Sequence, residues 1–101
     1  DEEVIPTELT LSSYPNPFNP STTIIMSIPA NLANQEKQFD IYNILGEKVK
    51  SFDLAQYNNL SEIHINWNGM NDYGNAVASG MYIAVFKAGS IIKSLKLLLV
   101  R

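Results

Sequence analysis

Three of the chain's five prolines fall inside one seven-residue stretch, Tyr14-Pro-Asn-Pro-Phe-Asn-Pro20, and nothing else in the sequence restricts the fold as tightly. Each ring fixes φ at Pro15, Pro17 and Pro20, and the residues before them, Tyr14, Asn16 and Asn19, are pushed towards extended geometry. A helix cannot pass through. Asn16 and Asn19 can bond their own backbone in Asx turns, whereas Phe18 is no turn former and belongs there only if it packs. The stretch therefore reads as a rigid corner pinned by Phe18, between a first strand Leu9 to Tyr14 and a second Thr22 to Ile28.

On either side of this corner the pattern is β. No window carries apolar residues at sustained helical spacing, and short alternating runs are separated by Gly, Pro and Asn clusters. Ile24, Met26 and Ile28 share one face of the second strand, closed by Pro29. A polar loop follows over residues 30–36. The third strand, Gln38 to Asn43, points Phe39 and Ile41 inward and Asp40 and Tyr42 outward. Gly46 suits a left-handed position in the turn after Leu45, and Glu47 to Asp53 returns as a fourth strand with Val49 as its core residue. Glu62 to Trp67 alternates most cleanly, with Ile63, Ile65 and Trp67 on one face and Trp67 as the largest buried side chain. A dense run of turn formers, Asn68 to Asn75, leads to a sixth strand, Met81 to Lys87, apolar on both faces and hence central or covered. After Ala88-Gly-Ser90 comes a last strand, Ile91 to Val100, read either as central or as an edge whose outward Leu98 and Val100 await a partner strand. Seven such strands in 101 residues predict an all-β, immunoglobulin-like antiparallel β-sandwich.

Residues 1–8 are acidic, carry a proline and lack periodicity, as expected of a linker from an upstream domain; residues 9–101 form the sandwich. Folding a chain of this length buries about 65% of its unfolded surface, enough for a two-layer core. A net charge of -3 makes nucleic acid and anionic lipid poor partners. The terminal apolar run, Leu97 to Val100, is too short to span a bilayer, and the absence of cysteine removes disulfides and thiolate metal sites.

Candidate chemistry is sparse. Asn68, Asn71, Asp72 and Asn75 supply the oxygen ligands a calcium ion takes, with Asn71 and Asp72 as the candidate metal residues, but one carboxylate among them favours an Asx-stabilised double turn. His64 is the only histidine and lies on the face opposite Trp67, which leaves a metal site or a triad without partners. Asp40, Asp53, Glu47 and Glu62 could pair as glycosidase carboxylates, yet all fall at outward or loop positions. Tyr42, Tyr57 and Tyr73 could form a row that stacks on sugar rings. No catalytic residue, cofactor or enzyme activity is expected.

Five ordered motifs, Tyr14-Pro-Asn-Pro-Phe-Asn-Pro-Ser-Thr-Thr-Ile24, Ile41-Tyr-Asn-Ile-Leu-Gly-Glu-Lys-Val49, Trp67-Asn-Gly-Met-Asn-Asp-Tyr-Gly74, Val77-Ala-Ser-Gly-Met-Tyr82 and Lys96-Leu-Leu-Leu-Val-Arg101, resemble the type A C-terminal sorting domain of the type IX secretion system. That family is in turn similar to the immunoglobulin-like domain of flagellar hook-capping proteins. The resemblance runs from about Leu9 to Arg101. It implies a non-catalytic sorting and anchoring module at the C-terminal end of a larger exported protein of a Bacteroidetes-type bacterium. Its implied partners are the secretion translocon, the cell-surface attachment machinery and an upstream cargo domain in the same chain, and the implied location is secreted, extracellular or on the outer cell surface. The determinant read by the machinery would be Lys96, Leu97, Leu98, Leu99, Val100 and Arg101. The framework positions would be Pro15, Asn16, Pro17, Phe18, Asn19, Pro20, Gly46, Trp67, Gly69, Asp72, Gly74, Gly80 and Tyr82. The alternative function is a carbohydrate-binding or structural accessory module of a secreted hydrolase.

Overall fold

The computed structural model describes residues 8–57 and 60–101; the expected linker, apart from Glu8, and residues 58 and 59 of the fourth-to-fifth-strand loop lie outside the described residues. Seven strands follow in order: β1 (Thr10–Tyr14), β2 (Thr22–Ser27), β3 (Lys37–Asn43), β4 (Lys48–Phe52), β5 (Glu62–Trp67), β6 (Gly80–Ala88) and β7 (Ile91–Leu99). Single 3₁₀ turns, Ala30–Leu32 and Ala55–Tyr57, interrupt the loops that cross between sheets. The first of these buries Leu32.

All strand pairs are antiparallel and form two sheets, β1-β2-β5 and β4-β3-β6-β7. This is the strand order of an immunoglobulin-like sandwich in which the fourth strand sits beside the third. The apolar alternation dictates which faces meet. Ile24 and Met26 of β2 and Ile63, Ile65 and Trp67 of β5 look inward from one sheet; Phe39, Ile41, Tyr82, Ala84, Phe86, Leu97 and Leu99 look inward from the other. Trp67 is the largest of the fully buried side chains. Gly46 has φ +83 in the β3–β4 turn, and Ala88 and Ile91 close a two-residue turn in which Gly89 has φ +61.

β6 is central, which accounts for a strand apolar on both sides, and β7 is an edge. β4 carries a bulge: Ile41 pairs with Lys50 and Tyr42 with Lys48, so Val49 is the extra residue and packs against the core.

Asp40 departs from its expected outward, solvated position. It does sit on the outer face of its sheet, but only 5% of it is exposed. Flanking strands shield it, Ser51 Oγ donates a 2.6 Å bond to Oδ1, and Lys48 Nζ lies 3.8 Å from Oδ2. A buried carboxylate needs such donors, because leaving it bare would cost several kcal/mol.

Candidate functional site

β1, β3, β5 and β7 end at the same pole of the sandwich, and β2, β4 and β6 begin there. Four segments therefore converge: the proline corner, the β3–β4 turn, the long β5–β6 loop and the chain terminus. An aromatic trio holds them. The Phe18 and Trp67 rings lie 5.6 Å apart, and Tyr82 meets Trp67 edge-on at 5.4 Å. Trp67 Nε1 donates to the Met70 carbonyl (2.9 Å), and the Tyr82 hydroxyl donates to the Ala78 carbonyl (2.6 Å). Each ring thus buries its apolar body and uses its polar tip to fix the loop above it. Burial pushes the Tyr82 phenol above its ordinary pKa of 10.0, with Arg101 pulling the other way.

The proline corner switches sheets. β1 pairs with β2; after the turn, Phe18 makes a parallel bridge to Leu99 in the opposite sheet. The Phe18 N–H donates to the Leu98 carbonyl and the Val100 N–H donates to the Phe18 carbonyl, both at 2.9 Å. Asn16 extends the ladder with its side chain: Nδ2 donates to the Lys96 carbonyl (2.9 Å), and Oδ1 accepts the Leu98 N–H (3.0 Å). The corner closes on itself through Thr22, whose buried hydroxyl donates to the Pro15 carbonyl at 2.6 Å.

This corrects the expectation of a terminal edge waiting for a partner strand at Leu98 and Val100. That part of the edge is already taken by the chain's own corner. Alternation also divides the terminal motif: Leu97 and Leu99 are fully buried, and Lys96, Leu98, Val100 and Arg101 face out.

The terminus is anchored as well. Arg101 Nε donates to the Val77 carbonyl (2.7 Å), its second guanidinium nitrogen to the Gly69 carbonyl (2.6 Å), and its N–H to Ser79 Oγ (2.9 Å). Gly69 is required here for two reasons. Its φ is +75, and a Cβ would lie 2.7 Å from the guanidinium and 3.2 Å from the Pro20 carbonyl.

Of the four side chains considered for calcium, Asn68, Asn71 and Asp72 have their oxygens engaged with backbone amides. Asn68 Oδ1 accepts the Met70 N–H (3.2 Å), and Asn71 Oδ1 accepts the N–H groups of Tyr73 (3.0 Å) and Asn75 (2.9 Å). Asp72 reaches across to the outer edge of β4, where both carboxylate oxygens accept the Ser51 N–H at 3.2 Å and Lys50 Nζ lies 3.7 Å away; its own N–H donates to the Val49 carbonyl. The run is a pair of Asx turns that clips the β5–β6 loop onto the far edge of the sheet. Among the described residues no three His, Cys, Asp or Glu side chains come together as a metal group.

The other candidates are scattered. His64 is exposed and bonded at 3.1 Å to Glu62. Asp53 caps Ala55, and Glu47 accepts from Asn43 in the β3–β4 turn, so the four carboxylates do not converge. The tyrosine row does not form either. Tyr42 lies on the outer face of β3, Tyr57 on the second 3₁₀ turn against the core, and Tyr73 on a loop tip at the pole. What the pole does show is apolar loop tips: Tyr14, Ile44, Leu45, Met70, Tyr73 and Val100 are all exposed there, Tyr73 at 88%.

Sequence reasoning missed how Asn16, Asp72 and Arg101 act, because each bonds a segment remote in the chain. Asp40 carried a signal. It stands between Phe39 and Ile41, with two lysines and a serine on the very next strand.

Two solved structures from Porphyromonas gingivalis share the architecture. One is PorZ, described as an essential bacterial surface component of the type-IX secretion system: TM-score 0.61, 24% identity, 90% of this chain covered. The other is dimeric latent PorU: TM-score 0.63, 19% identity, 99% of this chain covered. The chain spans only 11% and 10% of those two chains, so the likeness is one of fold. No curated protein matches it. The model of the secretion system C-terminal sorting domain matches residues 12–101, from within β1 to the last residue. With nearly the whole chain covered, and with the motifs that resemble type IX sorting domains folded into one pole, the chain belongs to the family of secretion system C-terminal sorting domains.

Proposed function

We propose that this domain is the address of a larger exported protein, read in its folded form at the pole where its terminus is held. The observation that carries this is the anchoring of the last residues: Leu97 and Leu99 are core, and Arg101 is bonded to three groups of the β5–β6 loop. A tail read as a flexible peptide gains nothing from being built into the core. A surface read as a shape needs it fixed.

On this reading the translocon contacts Lys96, Leu98, Val100 and the apolar tips Ile44, Leu45 and Tyr73. Leu97 and Leu99 support them from beneath. The cargo lies upstream, residues 1–8 link it to the sandwich, and its destination is the medium or the cell surface. The domain does no chemistry of its own; its ionisable groups are spent on turns and edges rather than gathered in a cleft.

Export of a passenger fused ahead of residues 1–101 in a cell with a type IX system tests this. Truncating the terminus would not, since loss of Leu97, Leu99 and Arg101 unfolds the pole as well. The informative variant is Leu98→Ser with Val100→Ser, which alters outward side chains only. Melting within a few degrees of the parent together with export cut at least about tenfold supports the reading. Unchanged export by that variant and by Tyr73→Ser would refute it.

A further inference from the structure

The two halves of β7 differ at their outer edge. From Lys96 to Val100 the edge is filled by Asn16 and Phe18. The outward backbone groups there belong to Lys96, Leu98 and Val100, so by the two-residue period of a strand those of Ile92 and Ser94 point the same way. Among the described residues nothing bonds to them from outside the sheet. Charge without a counterion surrounds this open half: of Lys87 on β6 and Lys93 and Lys96 on β7, none pairs with a carboxylate among the described residues. Between these lysines sits Ile92, 64% exposed.

We infer that the edge of β7 from Ile92 to Ser94 takes an extended acidic segment of a partner protein as an eighth, added strand. The backbone of Ile92 and Ser94 would supply the ladder, and a β-branched residue of the partner would cover Ile92. Carboxylates on its two faces would meet Lys93 on one side and Lys87 and Lys96 on the other. A second copy of this chain is the wrong occupant, because pairing two such edges sets lysines against lysines. The proposal concerns the folded domain in isolation and stands whether or not the pole carries the sorting signal.

The probe is an alternating glutamate–valine octapeptide, blocked at both ends, titrated into the whole chain while amide exchange is followed by NMR. Saturation should slow exchange at Ile92 and Ser94 by about tenfold or more and leave Leu98 and Val100 unchanged, since those are already bonded. Ser94→Pro removes one outward N–H and no ladder bond to β6, so the domain should still melt cooperatively while peptide binding is lost. Lys93→Glu with Lys96→Glu should weaken binding at least about fivefold and transfer preference to a lysine–valine peptide. Three results would overturn the proposal. One is binding that leaves Ile92 and Ser94 exchange unchanged; another is equal binding by Ser94→Pro. The third is sedimentation as a dimer with those two amides slow before any peptide is added, which would make a second copy the occupant.

Discussion

Lys96 to Leu99 and Ile91 to Ser94 lie on one strand and pair with one neighbour, yet they are held in different ways. The later half inserts Leu97 and Leu99 into the core and is stitched along its outer side by Asn16 and Phe18. The earlier half is exposed on both faces and, among the described residues, bonded on one edge only. A strand's stability is thus set less by its own residues than by what covers it. The earlier half is Ile-Ile-Lys-Ser and the later Lys-Leu-Leu-Leu, and β-propensity, which favours Ile over Leu, would not pick the later half as the firmer one. What separates them is a corner more than seventy residues earlier in the chain.

The largest effect expected from this contrast is at Trp67, whose indole joins the corner to the loop. Trp67→Ala removes the ring that packs against both Phe18 and Tyr82, together with the donor to Met70, and should cost about 3–5 kcal/mol in denaturant unfolding. The matching change in the exposed half, Ile92→Ser, should stay within about 0.5 kcal/mol. If the two costs were similar, the pole that holds the later half would be no more firmly packed than the exposed half of β7.

Next come two glycines of the same loop. Gly69→Ala forces a Cβ into the left-handed region and into both the Arg101 guanidinium and the Pro20 carbonyl, so about 2–3 kcal/mol is expected. Gly74 has φ +82 but open space around it, so Gly74→Ala should lose only about 1 kcal/mol for the backbone. The difference between the two measures what the anchored terminus contributes. Smaller than the Gly69 effect is Asn16→Ala, which deletes one donor and one acceptor along the later half of β7 and should cost about 1–2 kcal/mol. Faster amide exchange at Leu98 would accompany it, with no change at Ile92.

Most of the strands were legible in the sequence because alternation survives intact where one face is buried, as at Ile63, Ile65 and Trp67. The corner was legible as a corner, since three prolines leave no other conformation. Its docking was not. Nothing local to Asn16 or Phe18 says that they complete a strand some eighty residues later. The same holds for Arg101, whose three acceptors lie in a loop that periodicity marks only as turn formers. Asp40 failed for another reason. Parity placed its side chain on the correct face, but parity does not tell whether that face is wet, and here Ser51 and Lys48 close over it.

A modest effect sharpens the pole further, because it isolates one hydroxyl. Tyr82→Phe keeps the ring against Trp67 and removes only the bond to Ala78, so about 1 kcal/mol of stability should be lost at neutral pH. The cost should then shrink in alkali. The folded state raises the Tyr82 pKa, so it holds the phenol proton more tightly than the unfolded chain does. That contribution is fully present below pH 10.0, the ordinary value, and is lost as pH rises through the folded value. Lys37 works in the opposite sense: burial lowers its pKa from 10.5, so its penalty fades as pH climbs towards that value. Lys37 is common to both proteins, so the difference between parent and Tyr82→Phe removes it and reports the hydroxyl alone. A stability gap that narrows between neutral pH and pH 11 is the expected outcome, and one that stays constant would mean that the Tyr82 phenol titrates no differently in the folded chain than in the unfolded one.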